Sequence, residues 1–265
     1  MTRHFASLLL STLGCLATLA LSGCDEKPAP AAVASAKPAP TTVPPTVPSV
    51  EPVVQAAPTP AKPKKTIADC PKGKMPELGS PEIEAAIRLK AQKQKGDLSL
   101  ADLKRIKSLN ISQTPLNELD ICLFSPMTEL KELFIGRGQV MDISPIAKLT
   151  KLESLRLSLN PVSDLTPLAS MTKLDRLDLA HTQVKDLSPL ANATSLTELL
   201  LDDTPVSDVT PLAKLEKLEV LVLKNTQVKD VKALRGLKAL KTLDLRGAPV
   251  DDPSPVMRPG LRVQQ

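Results

Sequence analysis

The chain of 265 residues contains no tryptophan, no tyrosine and only three phenylalanines. Aromatic platforms that stack sugars or single-stranded nucleic acid are therefore excluded. Any core must be built from aliphatic side chains. Histidine is almost as scarce, with His4 and His181 the only two. Ser/His/Asp and Cys/His nucleophiles and zinc hydrolase sites all draw on imidazole as base or ligand, so they are poorly supplied here. None of the four cysteines forms a C-x-x-C pair, which removes the thioredoxin-like redox motif. The formal charge of +5 is mild and gives no reason to expect a nucleic-acid partner. These absences point to a non-enzymatic protein without a cofactor or a metal.

The first segment with a definite pattern is residues 1–23. One positive charge at Arg3 precedes an uncharged apolar run from Phe5 to Leu21, the pattern of a secretory signal peptide. The run closes on Leu21-Ser22-Gly23-Cys24, which resembles the lipobox of bacterial lipoproteins. That resemblance implies that Cys24 carries a lipid, becomes the mature N-terminus and holds the protein on a membrane. A plain secretory signal and an N-terminal anchor are the alternatives. Cys15 fits less well, because Thr12 stands where the aliphatic residue belongs.

Residues 24–66 change to proline, alanine, valine, threonine and lysine, with no period that could bury a face. This reads as a disordered tether. In polyproline II, at about 3.1 Å per residue, it spans on the order of 100 Å.

The remainder repeats itself. Leu130, Leu152, Leu174, Leu196, Leu218 and Leu240 stand 22 residues apart without a slip. Within one unit Leu155 and Leu157 alternate with Ser154, Arg156 and Ser158, which places the leucines on one side of a short strand. Val162, Leu165 and Leu168 return on a stretch broken by Pro161 and Pro167, suited to a 3₁₀ turn. A single unit buries too little to offset the entropy of ordering it, so neighbouring units must stack into a shared core. The pattern L-x-x-L-x-L-x-x-N/T-x-V-x-D-L-x-P-L resembles the internalin-like class of leucine-rich repeat. The resemblance implies an α/β, right-handed solenoid with short parallel strands on a concave face, 3₁₀ or irregular turns on the convex face and an N-terminal helical cap. About seven units fall within 106–257, and 258–265 are left as a C-terminal tail.

Two further columns run through the repeat. Asp142, Asp164, Asp186, Asp208, Asp230 and Asp252 recur at the same interval, each three residues before a proline or Ala233. A calcium ladder is one reading, and N-terminal capping of each helical turn is the one favoured, since no glycine-rich calcium motif accompanies them. Asn160, Thr182, Thr204 and Thr226 share a position where a side chain bonds the turning backbone.

Residues 67–105 form the expected cap. Ser80 and Pro81 open a helix on which Ile83, Ala86, Ile87 and Leu89 recur at helical spacing, and Gly96 is expected to stop it. Its basic run, Arg88, Lys90, Lys93 and Lys95, reads as a solvated face, with lipid headgroup contact as the alternative. Cys70 and Cys122 are the remaining thiols. A disulfide between them would staple the leading segment of the cap to the first unit in an oxidising compartment, and two separate thiols is the other arrangement.

Residues pointing away from the core supply the candidate site. Asn110, Phe134, Arg156, Asp178, Leu200, Val222 and Asp244 fall in one column, flanked by Val220 and Lys224 and by the mixed charges of Arg176, Glu198, Asp202 and Arg246. Phe134, Arg156, Asp178, Leu200, Val220, Val222, Lys224 and Asp244 are the candidate partner contacts. His181 falls one repeat before Asp203, as a surface ion pair. The expected partner is an unidentified protein or peptide, met on the bacterial cell envelope, in the periplasm or at the cell surface. An envelope spacer and an internalin-like surface adhesin are the alternatives.

Overall fold

The computed structural model describes residues 65–70 and 80–265. The expected signal peptide, Cys24 and the tether as far as residue 64 lie outside the described residues. Among the described residues no helix is long and apolar enough to cross a membrane.

The cap is built around helix α1, Pro81–Ala91, whose Ser80 side chain accepts the Ile83 N–H and whose Ile83 and Ile87 are buried. Leu89, expected on the same apolar face, is exposed, because the face turned to the core is the one that carries Ile83 and Ile87. The helix also ends earlier than expected. Gln92, in the left-handed region at φ 54°, closes it, and Gly96 turns the chain only afterwards. Arg88 explains the early stop. Its guanidinium donates to the Lys93 and Gly96 carbonyls at 3.3 and 2.9 Å and to Glu84 at 2.8 Å, so it clamps the turn that follows the helix.

Helix α2, Leu100–Lys104, carries a reciprocal capping box between Ser99 and Asp102. Lys93 reaches the same carboxylate at 3.0 Å. Two of the four basic residues of the expected solvated face are thus used inside the cap. The Lys93 ammonium, followed by the Ser99 N–H and hydroxyl, pushes the Asp102 carboxyl down from its ordinary 3.8 to about 2. A depressed folded-state pKa contributes stability above the unfolded value that disappears as pH falls through the folded one. Carbon-detected NMR titration is therefore expected to find Asp102 still ionised at about pH 3, and Asp102→Asn to remove part of the acid sensitivity of the cap between its unfolded and folded pKa values.

A disulfide joins Cys70 to Cys122, with Cα atoms 5.3 Å apart. Beside it, Lys65 meets Asp120 at 2.9 Å. Together they tie the short 3₁₀ turn Ile67–Asp69 to helix α3, Ile121–Phe124, in the first unit.

Eight strands then form one parallel sheet in chain order: β1 Ser108–Ile111, β2 Glu132–Ile135, β3 Ser154–Arg156, β4 Arg176–Asp178, β5 Glu198–Leu200, β6 Val220–Val222, β7 Thr242–Asp244 and β8 Arg262–Gln264. Leu109, Leu133, Leu155, Leu177, Leu199, Leu221 and Leu243 are matched strand to strand and buried. The buried cluster continues from Ile83 to Val256. This is a leucine-rich repeat solenoid. Strand β8 lies in the stretch expected as a tail. It follows β7 after 20 residues instead of 22 and presents Val263 at the leucine position. Arg258 donates to the Leu237 and Leu240 carbonyls of the turn before it, which supplies partners to groups the last coil would otherwise leave bare.

The return segments are 3₁₀ turns that start two residues after each aspartate. In every unit the aspartate Oδ1 accepts the first N–H of the turn, at 2.8 Å from Ser144, Thr166, Ser188, Thr210 and Lys232 and 2.9 Å from Ser254. The hydroxyls of Ser188, Thr210 and Ser254, and then their N–H groups, hold Asp186, Asp208 and Asp252 below the usual carboxylate range. Thr182, Thr204 and Thr226 are buried and donate to the carbonyls of Leu179, Leu201 and Leu223. Just before each of them the chain passes through the left-handed region, at His181, Asp203 and Asn225, as it does at the equivalent Leu159 and Gly247 before Asn160 and Ala248. Gly138 answers a different demand, since a Cβ there would sit 2.0 Å from the Leu116 carbonyl oxygen.

Candidate functional site

The side chains on the open face of the sheet stand where the parallel register puts them. Asn110, Phe134, Arg156, Asp178, Leu200, Val222, Asp244 and Gln264 are successive cross-strand partners. Four of the expected contacts are brought into one place. Phe134, Arg156, Asp178 and Leu200 line a shallow hollow of about 260 Å³, together with Ser154, Arg176 and Glu198, over Leu155 and Leu177. Phe134 and Leu200 are half-buried, so each keeps apolar surface open at opposite ends of the hollow.

Between those two apolar ends sits a hydrogen-bonded ion pair. Arg156 lies 3.1 Å from Asp178, donates to the Ser158 hydroxyl at 2.9 Å, and that hydroxyl donates to Asp178 at 3.0 Å. The Ala180 N–H donates to the other oxygen of the same carboxylate at 3.1 Å. Ser158, which alternation places on the same side as Arg156 just beyond the end of β3, is therefore a positioning residue, a role that its hydrogen bonds reveal and its place in the pattern does not. Arg176 approaches Glu198 at 4.0 Å and Asp175 at 3.8 Å. The charges of the hollow are thus largely matched within it, and a single-sign ligand finds no excess charge to meet.

Val220, Val222, Lys224 and Asp244 lie outside that hollow. Val222 follows Leu200 on the next strand and extends the apolar strip, with Val220 beside it. Asp244 is only 6 % exposed, and Arg246 grips it with Nε at 2.9 Å and Nη2 at 2.6 Å. The Arg246 guanidinium holds this carboxyl below its ordinary value. Its lone pairs are committed inside the protein, so Asp244 offers a partner little. The pairing depends on the Arg246 rotamer, which the repeat pattern does not encode.

Comparison with solved structures places the fold. An internalin (inlF) of Listeria monocytogenes aligns with a TM-score of 0.61 at 30% identity, over 66% of this chain and 52% of that one. Internalin C2 of the same species aligns with a TM-score of 0.63 at 30% identity, over 69% of this chain and 81% of that one. A leucine-rich repeat protein of Leptospira interrogans shares the fold at 21% identity and a TM-score of 0.52, over 62% of this chain and 50% of that one. No family model and no curated protein matches the sequence. The class is leucine-rich repeat, and within it the chain belongs to the internalin-like family. It spans about half the length of the first of these internalins.

Proposed function

We propose that this chain is a non-enzymatic protein-binding module, held on the bacterial cell envelope through a lipid on Cys24, that receives a peptide or a protein segment on the open face of its sheet. The observation that carries the reading is the hollow between Phe134 and Leu200: apolar at both ends, charge-matched in the middle, and floored by strands whose register is locked. Large apolar side chains left open on a rigid sheet are what a docking segment desolvates. The face is small. Eight strands of three or four residues at about 4.8 Å spacing present on the order of 300 to 500 Å², against about 800 Å² per partner in a standard interface. An extended peptide therefore suits it better than a broad globular surface.

The tether reading draws on the lipobox-like Leu21-Ser22-Gly23-Cys24 and the proline-rich stretch behind it. The Cys70–Cys122 disulfide is consistent with an oxidising compartment, periplasmic or at the cell surface. Cys24→Ser is the direct check, since it moves the protein from the membrane fraction to the soluble fraction if Cys24 is its only anchor.

Photo-crosslinkers placed at Phe134 and Val222 in living cells are expected to capture one recurring envelope protein. Leu200→Asp combined with Val222→Lys is expected to reduce the capture read from the Phe134 crosslinker at least about tenfold, a loss of roughly 1.4 kcal/mol or more, while circular dichroism stays unchanged. Unchanged capture by the double variant would remove the open face from consideration. No recurring product at either position would favour an inert spacer, and cleavage by protease added to intact cells would favour an adhesin facing outward.

A further inference from the structure

Away from the open face, the loops that leave β4 and β5 gather three metal-type donors. His181, Asp202 and Asp203 each offer one ligand atom, and these atoms lie within 4.8 Å of one another, the one such group among the described residues. We propose that they form a binding site for a divalent transition metal of the Zn²⁺ type, bridging two consecutive coils of the solenoid. Nothing in the docking function requires this site, and it stands on different residues.

The geometry is set by the backbone. His181 and Asp203 occupy the same left-handed position in successive units, at φ 55° and 54°. The His181 N–H donates to the Asp202 carbonyl at 2.8 Å and the Asp203 N–H to the Lys224 carbonyl at 2.9 Å. The first bond joins the two loops directly, and the second fixes the Asp203 loop against the coil that follows. The imidazole Nε2 stands 3.9 Å from Asp202 Oδ2 and 3.7 Å from Asp203 Oδ2. A metal at about 2.0 to 2.2 Å from each donor needs donor-to-donor separations of roughly 3 to 3.5 Å. Small side-chain rotations in these partly exposed groups supply that contraction without moving the backbone.

The donor set also selects the metal. Two carboxylates and one neutral imidazole carry the charge that balances a dication. Imidazole suits zinc, copper and nickel, whereas calcium and magnesium demand six or more oxygens. Asn225 completes the arrangement. Its Nδ2 donates to Asp203 Oδ1 at 2.9 Å, which orients the carboxylate and leaves Oδ2 turned toward the imidazole. Three protein donors leave at least one coordination position to water, so binding is reversible and weaker than at a closed four-ligand site.

Isothermal titration of the mature, signal-cleaved chain with ZnCl₂ tests the proposal. The expected result is saturable binding of one Zn²⁺ per chain that excess Ca²⁺ does not displace. His181→Ala is expected to weaken it at least about thirtyfold, and Asn225→Ala, which touches no metal, by roughly tenfold. The His181 imidazole resonances are expected to shift in the unsubstituted protein on adding Zn²⁺, a readout independent of any variant. Failure to saturate below millimolar Zn²⁺, unshifted imidazole resonances, or a His181→Ala protein that binds as tightly as the parent would each overturn the site.

Discussion

Leu199→Ala is expected to destabilise the repeat domain by about 3 kcal/mol, within the range of roughly 2 to 5 for leucine truncation in a packed core. Leu200→Ala, one residue along, is expected to change it by less than about 1 kcal/mol. Leu199 is fully buried and packs in register between Leu177 and Leu221. The layers on both sides are pinned by ladder bonds such as Leu179 N–H to the Leu200 carbonyl and Leu201 N–H to the Val222 carbonyl, both 2.9 Å. The coils cannot slide inward to fill the space a missing isobutyl group leaves, so the cavity term persists. Leu200 faces the other way and is half-buried, so truncation removes only part of its apolar contact. Urea unfolding followed by circular dichroism separates the two. Equal losses would mean that the strand lies one residue out of register, since a slip of one exchanges the faces.

The interior was legible from the chain alone because its cause is periodic. Leucines repeating every 22 residues and alternating within each strand can be satisfied only by stacked short strands. The aspartate column was legible for the same reason, each carboxylate answering the same exposed N–H in its own unit. What escaped depends on events that occur once. Strand β8 breaks the interval by two residues and substitutes a valine. The end of α1 is set by the reach of Arg88 across to the Gly96 carbonyl, a contact between side chain and loop. The Cys70–Cys122 disulfide, by contrast, was one of the two arrangements the sequence left open, and only the fold decided for it, because no period relates cysteines 52 residues apart across the junction of cap and repeat. On the open face, the column of candidate contacts followed from the register. Which charges remain free did not: Asp244 is consumed by Arg246, and Asp178 is shared by Arg156 and Ser158. Asp202 joined His181 and Asp203 only once the loop conformation was known.

Asn160 marks the place where a single side chain does what no other unit asks of it, and Asn160→Ala is expected to cost about 4 kcal/mol, the sum of a few buried groups at roughly 1 to 3 each. The residue is 1 % exposed. Its Nδ2 donates to the Leu157 and Ser158 carbonyls at 3.2 and 3.1 Å within its own coil, and to the Gly136 carbonyl at 2.9 Å in the coil before. Its Oδ1 accepts the Val140 N–H at 3.2 Å. The threonines that occupy this position later make one bond each, to the carbonyl three residues back, at 2.6 to 2.7 Å. A hydroxyl is long enough for that bond and too short to cross to the neighbouring coil. Asn160→Thr is therefore expected to fall between the alanine variant and the parent, recovering the Leu157 bond while stranding the Gly136 carbonyl and the Val140 N–H. Thr204→Ala, which loses a single bond within its own coil, is expected to cost about 1 to 2 kcal/mol. Hydrogen exchange locates the effect: in Asn160→Ala the amide of Val140 is expected to lose its protection. If Asn160→Ala and Thr204→Ala prove equally costly, the cross-coil bonds contribute nothing, and the second and third strands are held together by their leucines and ladder bonds alone.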